Sequence, residues 1–217
     1  YVHNNYLLLN AGSALGRGCG PLLISKNPIE NPQQALKELK IAIPGKYTTA
    51  NFLLGLYAPE AKNKVEMLFS DIEEAVLNDS VDAGLIIHEN RFTYEQKGLK
   101  KVVDLGEFWE NTTSNPIPLG GIVVNKRLPK ELQLQVDDTI RRSVDFAFKN
   151  PDVSKEYVKQ HAQAMSEEVM YKHIGLYVNE YSVNLGSIGR SAINTLYQKA
   201  QELNIVPAMD SQIFVNN

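Results

Sequence analysis

Residues 84–94 read GLIIHENRFTY. Leu85, Ile86 and Ile87 form a continuous apolar run, and His88, Glu89, Asn90 and Arg91 follow without a break. So short a run, with Gly84 before it and polar residues behind, suits a strand buried on both faces. Such strands belong to parallel sheets covered by helices, so this stretch predicts an α/β fold. It also places a titratable segment at the carboxyl end of a strand, where open parallel sheets bind ligands.

The neighbouring sequence repeats the pattern. Strands are expected over 41–43, 65–69, 83–87 and 101–103, with helices over 49–57 and 71–77 between them. Short strands alternating with short helices indicate a parallel α/β sheet. Asn31-Pro32 supplies an N-cap and a first-turn proline for a short helix over 32–39. After a further strand over 122–124 the character becomes helical. Leu132, Val136, Ile140, Val144 and Phe148 recur every four residues, an amphipathic stripe that stops at Asn150-Pro151. Helices are also expected over 153–165, 166–178 and 187–203, with Ser166 and Ser187 as N-caps. This order predicts a central α/β lobe over 38–118 and an outer lobe built from 1–37 and 119–217.

Near the start, apolar runs at 7–9 and 21–25 flank Gly12, Gly16, Gly18 and Gly20. A dinucleotide cradle needs a helix after its glycines. Here a second strand-like run follows, which favours a bent, closely packed strand connection.

The 217 residues can bury a sizeable core, and 43% are hydrophobic against 22% charged. A net charge of -3, with acids and bases mixed, provides no basic stripe, so no nucleic-acid partner is expected. No run approaches the roughly 20 apolar residues that cross a bilayer, so no membrane insertion is expected. The single cysteine, Cys19, excludes an internal disulfide and a multi-thiolate metal site, and it fits a reducing, cytoplasmic compartment. The chain opens on Tyr1 rather than Met, so natural N-terminal residues are expected to be missing. Composition leaves self-association open.

Three loops could carry chemistry. In 44–50 (PGKYTTA), the backbone N–H groups and threonine hydroxyls of a helix start suit a carboxylate or a hydroxyl-rich ligand. The plainer reading is that Thr48 or Thr49 only caps the helix. In His88-Glu89-Asn90-Arg91, an imidazole that titrates near neutrality could act as a general base. A hydrogen-bonded structural histidine explains His88 equally well. If the segment is extended, His88 and Asn90 share a face and Glu89 points the other way. Asp104 could orient a partner group or cap the helix behind it. Among the other histidines, His161 lies in a polar helix, His173 reads as the edge of a core, and His3 is close to the terminus. No metal-binding spacing and no G-x-S-x-G elbow occurs, so no metal is expected.

The segments GSALGRGCGPLL, IAIPGKYTTANFLL, DAGLIIHENRFTY, VVDLGEFWE and PIPLGGIVV occur in an order that resembles the 1,4-dihydroxy-6-naphthoate synthases of the futalosine route to menaquinone. The similarity runs over about 6–214. It implies a two-lobed fold of the type II periplasmic-binding-protein kind, with the ligand cleft between lobes. It also implies a carbon–carbon lyase that takes a small carboxylated substrate, cyclic dehypoxanthinyl futalosine. The products are the dihydroxynaphthoate and a three-carbon sugar fragment, and no cofactor is required. In that family the histidine matching His88 is the proposed proton acceptor, and the pair matching Thr49 and Ala50 contacts the substrate. The family carries further N-terminal residues, including a Pro-Asn-Asp-Thr-like loop and a serine contact. The outer lobe is therefore expected to be incomplete, and this chain alone to turn over poorly. Chorismate dehydratase shares the pathway and the fold, but there the corresponding strand runs into Gly-Asp, so His88 favours the synthase. A non-enzymatic solute-binding protein is the third reading, because the fold alone does not fix function.

Overall fold

A computed structural model of the chain describes residues 4–161, 167–207 and 212–216, apart from the side chains of His88, Glu89, Glu167 and Val169. The expectations for His3 and for Ser166 as an N-cap fall outside the described residues. In chain order, β1 (Tyr6–Leu8) and β2 (Ala14–Gly16) come first. Next are β3 (Leu22–Ser25), α1 (Pro32–Ala35), β4 (Ile41–Ile43), α2 (Thr49–Tyr57), β5 (Lys64–Glu66), α3 (Ile72–Leu77), β6 (Ala83–Ile86), β7 (Lys100–Asp104) and α4 (Leu105–Thr113). Then follow β8 (Ile117–Gly120), β9 (Val123–Asn125), α5 (Lys130–Lys149), α6 (Lys155–His161), α7 (Glu167–Tyr177), α8 (Glu180–Val183) and α9 (Gly186–Glu202). The chain divides into two compact units, Arg17–Ser114 and Tyr1–Gly16 with Asn115–Asn217.

The Arg17–Ser114 unit is a five-stranded sheet in the order β5-β4-β6-β3-β7. Strands β5, β4 and β6 are parallel, as the apolar runs predicted. Strand β3 is not: it runs antiparallel between β6 and β7, pairing Leu22 with both Ile86 and Asp104. The sheet is therefore mixed, because a fully buried strand reads as apolar whichever way it points. The same pairing puts 17–37 in this unit, so the first boundary falls at Arg17 rather than 38 and the second at Ser114 rather than 118.

Alternation along the strands sends side chains to two faces. On one, Leu22, Ile24, Ala42 and Ile86 join Ile72, Val76, Val81, Tyr94 and Leu99 in one buried cluster. Each fully buried Leu or Ile stabilises the fold by about 1.5–3 kcal/mol relative to leaving it exposed. Gly84 belongs to this face. A Cβ there would lie 2.5 Å from Ile72 Cγ2 and 3.1 Å from Val76 Cγ2, so glycine is what lets α3 lie against β6. Leu23, Ile41, Ile43 and Leu85 are buried as well. Helices α2 and α4 meet through Tyr57 and Phe108, whose rings are edge to face with centroids 5.2 Å apart.

In the other unit, β1 pairs antiparallel with β9 and β2 with β8, and Leu8 bridges to Phe214. Leu7, Leu9, Val124 and Val215 form a small core onto which Val136 and Ile140 of α5 pack. The expected stripe on α5 is buried only in part, since Leu132 and Phe148 at its ends are 41% and 49% exposed. Asp137 of α5 accepts hydrogen bonds from the backbone of Asn10 (2.8 Å) and Ala11 (3.0 Å). Asn10, buried, also bonds Arg190 and Asn216 through its side chain. Ser187 is not an N-cap: α9 begins a residue earlier, and Asn184 accepts from Gly186 N–H at 2.8 Å. Asn31 precedes α1 in a left-handed conformation and makes no side-chain cap bond. Among the described residues, no helix is long and apolar enough to cross a membrane.

Candidate active site

The pairing within the Arg17–Ser114 unit brings several chain segments to one edge of its sheet. Strands β4 and β6 are parallel neighbours, so the turns that follow Ile43 and Ile86 leave side by side. Leu22 lies between Ile86 and Asp104, so the entry to β3 and the exit from β7 share that edge.

The turn after β4 ends on Thr48, which caps α2. Its hydroxyl donates to the Gly45 carbonyl (2.8 Å) and accepts from Asn51 N–H (3.3 Å). The cap is therefore Thr48, leaving Thr49 and Ala50 as the first two residues of the helix. Thr49 is half-buried and Ala50 buried. Their N–H groups are among those at a helix start that lack an intrahelical acceptor. Asn51 braces the turn by donating from Nδ2 to the Lys46 carbonyl (2.8 Å) and accepting from Lys64 Nζ (2.9 Å). Burial lowers the pKa of Lys64, and the neighbouring Lys62 lowers it further.

The turn after β6 differs from its expectation. Residues His88–Phe92 form a 3₁₀ turn, not a continuing extended strand. The alternation that set Glu89 apart from His88 and Asn90 therefore does not hold here, because it applies to extended chain. A second 3₁₀ turn, Tyr94–Lys97, follows, and Gly98 ends it at φ 82°. Tyr94 anchors this segment in the core, and Lys97 Nζ pairs with the buried carboxylate of Glu73 at 2.5 Å. Burial raises the pKa of the Tyr94 phenol.

Arg91 and Asp104 are residues to which the sequence reading gave too little weight. Arg91 Nη2 lies 2.9 Å from Asp104 Oδ2, with both side chains nearly buried. Its Nη1 donates to the Gly20 carbonyl. Asp104 does cap the following helix: its Oδ1 accepts from Gly106 N–H (2.9 Å) and Glu107 N–H (3.1 Å). One aspartate thus joins the α4 start to the His88 turn. An Asp before a helix signals a cap from sequence; its arginine partner thirteen residues earlier does not.

The glycine-rich entry to β3 packs as tightly as expected. A Cβ on Gly106 would lie 2.7 Å from both N and Cα of Gly20. Gly18 N–H donates to Glu110 Oε1 at 2.7 Å. Burial pushes the Cys19 thiol up to about 12, against the opposing pull of the Arg91 charge. It is therefore a neutral packing group at physiological pH. His161 is exposed beside the Tyr157 ring (4.3 Å), and His173 is half-buried beside Tyr177 (4.7 Å). Among the described residues no three His, Cys, Asp or Glu side chains come together in a group that could hold a metal ion.

Thr49, Ala50 and the backbone of His88 thus share one sheet edge. A helix start that offers N–H donors lies beside a turn that opens with a histidine. A helix start of this kind can hold an anion.

The fold is periplasmic-binding-protein-like. A periplasmic sulfonate-binding protein from Methylobacillus flagellatus KT matches 97% of the chain and 65% of its own length with a TM-score of 0.62, at 14% identity. The ligand-binding component of an ABC-type import system from Staphylococcus aureus gives the same TM-score at 15% identity, over 96% of the chain and 72% of its own. Protein AF1704 from Archaeoglobus fulgidus matches with a TM-score of 0.86 at 36% identity, over 94% of the chain and 75% of its own.

Within that class the chain belongs to the menaquinone biosynthesis family, which matches residues 1–202. Two relatives named 1,4-dihydroxy-6-naphthoate synthase are similar to it over 214 residues. The one from Thermus thermophilus is 41% identical, covering 99% of the chain and 77% of the relative. The one from Streptomyces coelicolor is 42% identical, covering 96% and 74%. The chain is an enzyme of this family, and its similarity to these relatives accords with the lyase class.

Proposed function

We propose that the protein converts cyclic dehypoxanthinyl futalosine to 1,4-dihydroxy-6-naphthoate with release of a three-carbon sugar fragment. Identity of 41% and 42% over 214 residues to two relatives of that name is the observation that carries the reading. The convergence of Thr49, Ala50 and the His88 turn on one sheet edge supports it.

In this reading His88 is the general base. It takes a proton from a substrate hydroxyl, the O–H electron pair becomes a carbonyl, and the adjacent carbon–carbon bond breaks. The pair from that bond passes to the carbon it leaves, where an adjacent substrate carbonyl takes it up as an enolate, and the His88 imidazolium returns the proton. Donors fixed before the reaction stabilise such charge without reorganising. The N–H groups of Thr49 and Ala50 hold the substrate carboxylate or the developing oxyanion. The reaction belongs to the cytoplasm in this account, as a step of small-molecule biosynthesis.

Incubating the full-length protein with the cyclic futalosine derivative and assaying for the naphthoate tests the reaction. Naphthoate formation is expected; tight binding without product would instead support a solute-binding protein, and conversion of chorismate would support the dehydratase. Thr49→Asp tests the anion subsite. An aspartate in the first helical turn favours the helix but repels a bound carboxylate, so KM should rise about 10-fold with no loss of melting temperature. An unchanged KM would remove the α2 start from substrate binding.

A further inference from the structure

We propose that Arg91 is a positioning residue of the reaction: its guanidinium fixes the 3₁₀ turn that opens with His88 to the sheet edge. This rests on the function proposed above and adds the residue that holds the base in place.

Three residues make one 3₁₀ turn, so the Arg91 backbone is a single turn from that of His88. Position 88 has left the strand ladder, which ends at Ile86. The turn must be held by something other than sheet hydrogen bonds. Arg91 spans two separate pieces of framework, the carboxylate of Asp104 at 2.9 Å and the Gly20 carbonyl. Both acceptors are themselves fixed. Asp104 caps α4 and flanks Leu22 in the sheet; Gly20 is packed against Gly106, and Leu105 N–H bonds the Pro21 carbonyl at 2.9 Å. Downstream, the Lys97–Glu73 pair and buried Tyr94 tie the next turn to α3. The segment from His88 to Lys97 is thus gripped from two sides, and the grip at Arg91 is nearest the base.

The side-chain chemistry is specific. Two Nη atoms serve two acceptors in a fixed fork, which an ammonium cannot reproduce. Both Nη atoms are engaged by framework acceptors, so the proposed effect on the reaction runs through geometry. Displacing a catalytic group by about 1 Å can cost about 100-fold in rate.

The experiment compares Arg91→Gln, Arg91→Lys, Asp104→Asn and the Arg91→Gln/Asp104→Asn pair with wild type, and includes His88→Ala. Steady-state kinetics on the cyclic futalosine derivative are read beside amide hydrogen exchange. Arg91→Gln should lower kcat about 100-fold with KM within about 3-fold. Arg91→Lys should recover part of that loss. Asp104→Asn keeps an oxygen to cap α4 but removes the charge partner, and should lower kcat about 10-fold. The double variant should be no worse than Arg91→Gln, because both break one contact. Exchange should quicken at 88–92 and stay unchanged at 50–54. An Arg91→Gln enzyme with wild-type kcat, or a change confined to KM, overturns the proposal. So does unaltered exchange at 88–92. If Arg91→Gln does not fold, Asp104→Asn decides, and wild-type kcat there is the contrary result. Failure of the function itself looks different: wild type makes no naphthoate, or His88→Ala turns over normally, while the exchange arm still reports on Arg91.

Discussion

The turns that leave β4 and β6 stand side by side, and they are held in different ways. The first, 44–50, is built mostly from its own neighbourhood, with two further bonds from the adjacent strand β5, where Lys64 Nζ donates to Asn51 and Glu66 accepts from Lys46 N–H, each at 2.9 Å. Thr48 bonds Gly45 and Asn51, and Asn51 bonds Lys46, all within five residues. The second, 88–92, takes its hold from a distance. Arg91 reaches Asp104 thirteen residues on and Gly20 seventy-one residues back. A turn stitched mostly by local bonds and one neighbouring strand loses little of its hold when more distant parts of the unit shift. A turn held from afar depends on the pieces of framework that carry its anchors.

The comparison is most easily broken at Gly106. In Gly106→Val the new Cβ meets Gly20 backbone, which cannot rotate away as a side chain could. The strand entry that carries one acceptor of Arg91 must then separate from α4. A loss of about 3 kcal/mol is expected from chemical denaturation, with the His88 turn loosened and the Thr48 turn intact by hydrogen exchange. Wild-type stability would show that the Gly20–Gly106 contact is not a constraint.

Gly84→Ala acts on the same turn from underneath, by pushing α3 off β6. Ile72 and Val76 side chains can partly give, so a smaller loss of about 1–2 kcal/mol is expected. The first turn has its own probe. Thr48→Ala removes the α2 cap at a cost of about 1 kcal/mol, and Thr48→Ser should restore most of it. Its kinetic effect should fall on KM, in contrast to the kcat effect of Arg91 variants.

The effect that is smallest at neutral pH is at Cys19, beside the anchored turn. Its native pKa is raised from 9.0 to about 12 by burial. The thiol's contribution to stability is whole below pH 9 and is lost as pH climbs toward 12, because in that window only the unfolded chain ionises. Urea midpoints should therefore fall more steeply above pH 9 in wild type than in Cys19→Ala. Parallel curves would mean that the thiol ionises as freely in the native state as in the unfolded one.

The same contrast explains what could be read from the sequence. The α2 helix was legible to the residue, because a threonine pair behind Pro-Gly and an apolar stripe at Phe52, Leu53 and Leu56 are local signals. The course and the end of α5 were legible too, from its four-residue repeat and the Asn150-Pro151 stop, though not its start at Lys130. The direction of β3 was not legible, since strand orientation leaves no mark in an apolar run. Nor was the 3₁₀ turn: His88 to Phe92 carries no periodic pattern, and the contacts that stabilise it lie far away in sequence. The roles of Thr49, Ala50 and His88 rest on likeness to a family, and the structure adds the sheet edge shared by their backbones. The Arg91–Asp104 pair needed three dimensions.

The most direct test of the central claim is a single-turnover experiment with His88→Ala and the cyclic futalosine derivative, following substrate binding and naphthoate formation in one sample. The account predicts binding within about 3-fold of wild type and product formation slowed by at least about 100-fold, the loss expected when a positioned base is removed. Naphthoate formed by His88→Ala at the wild-type rate would contradict it.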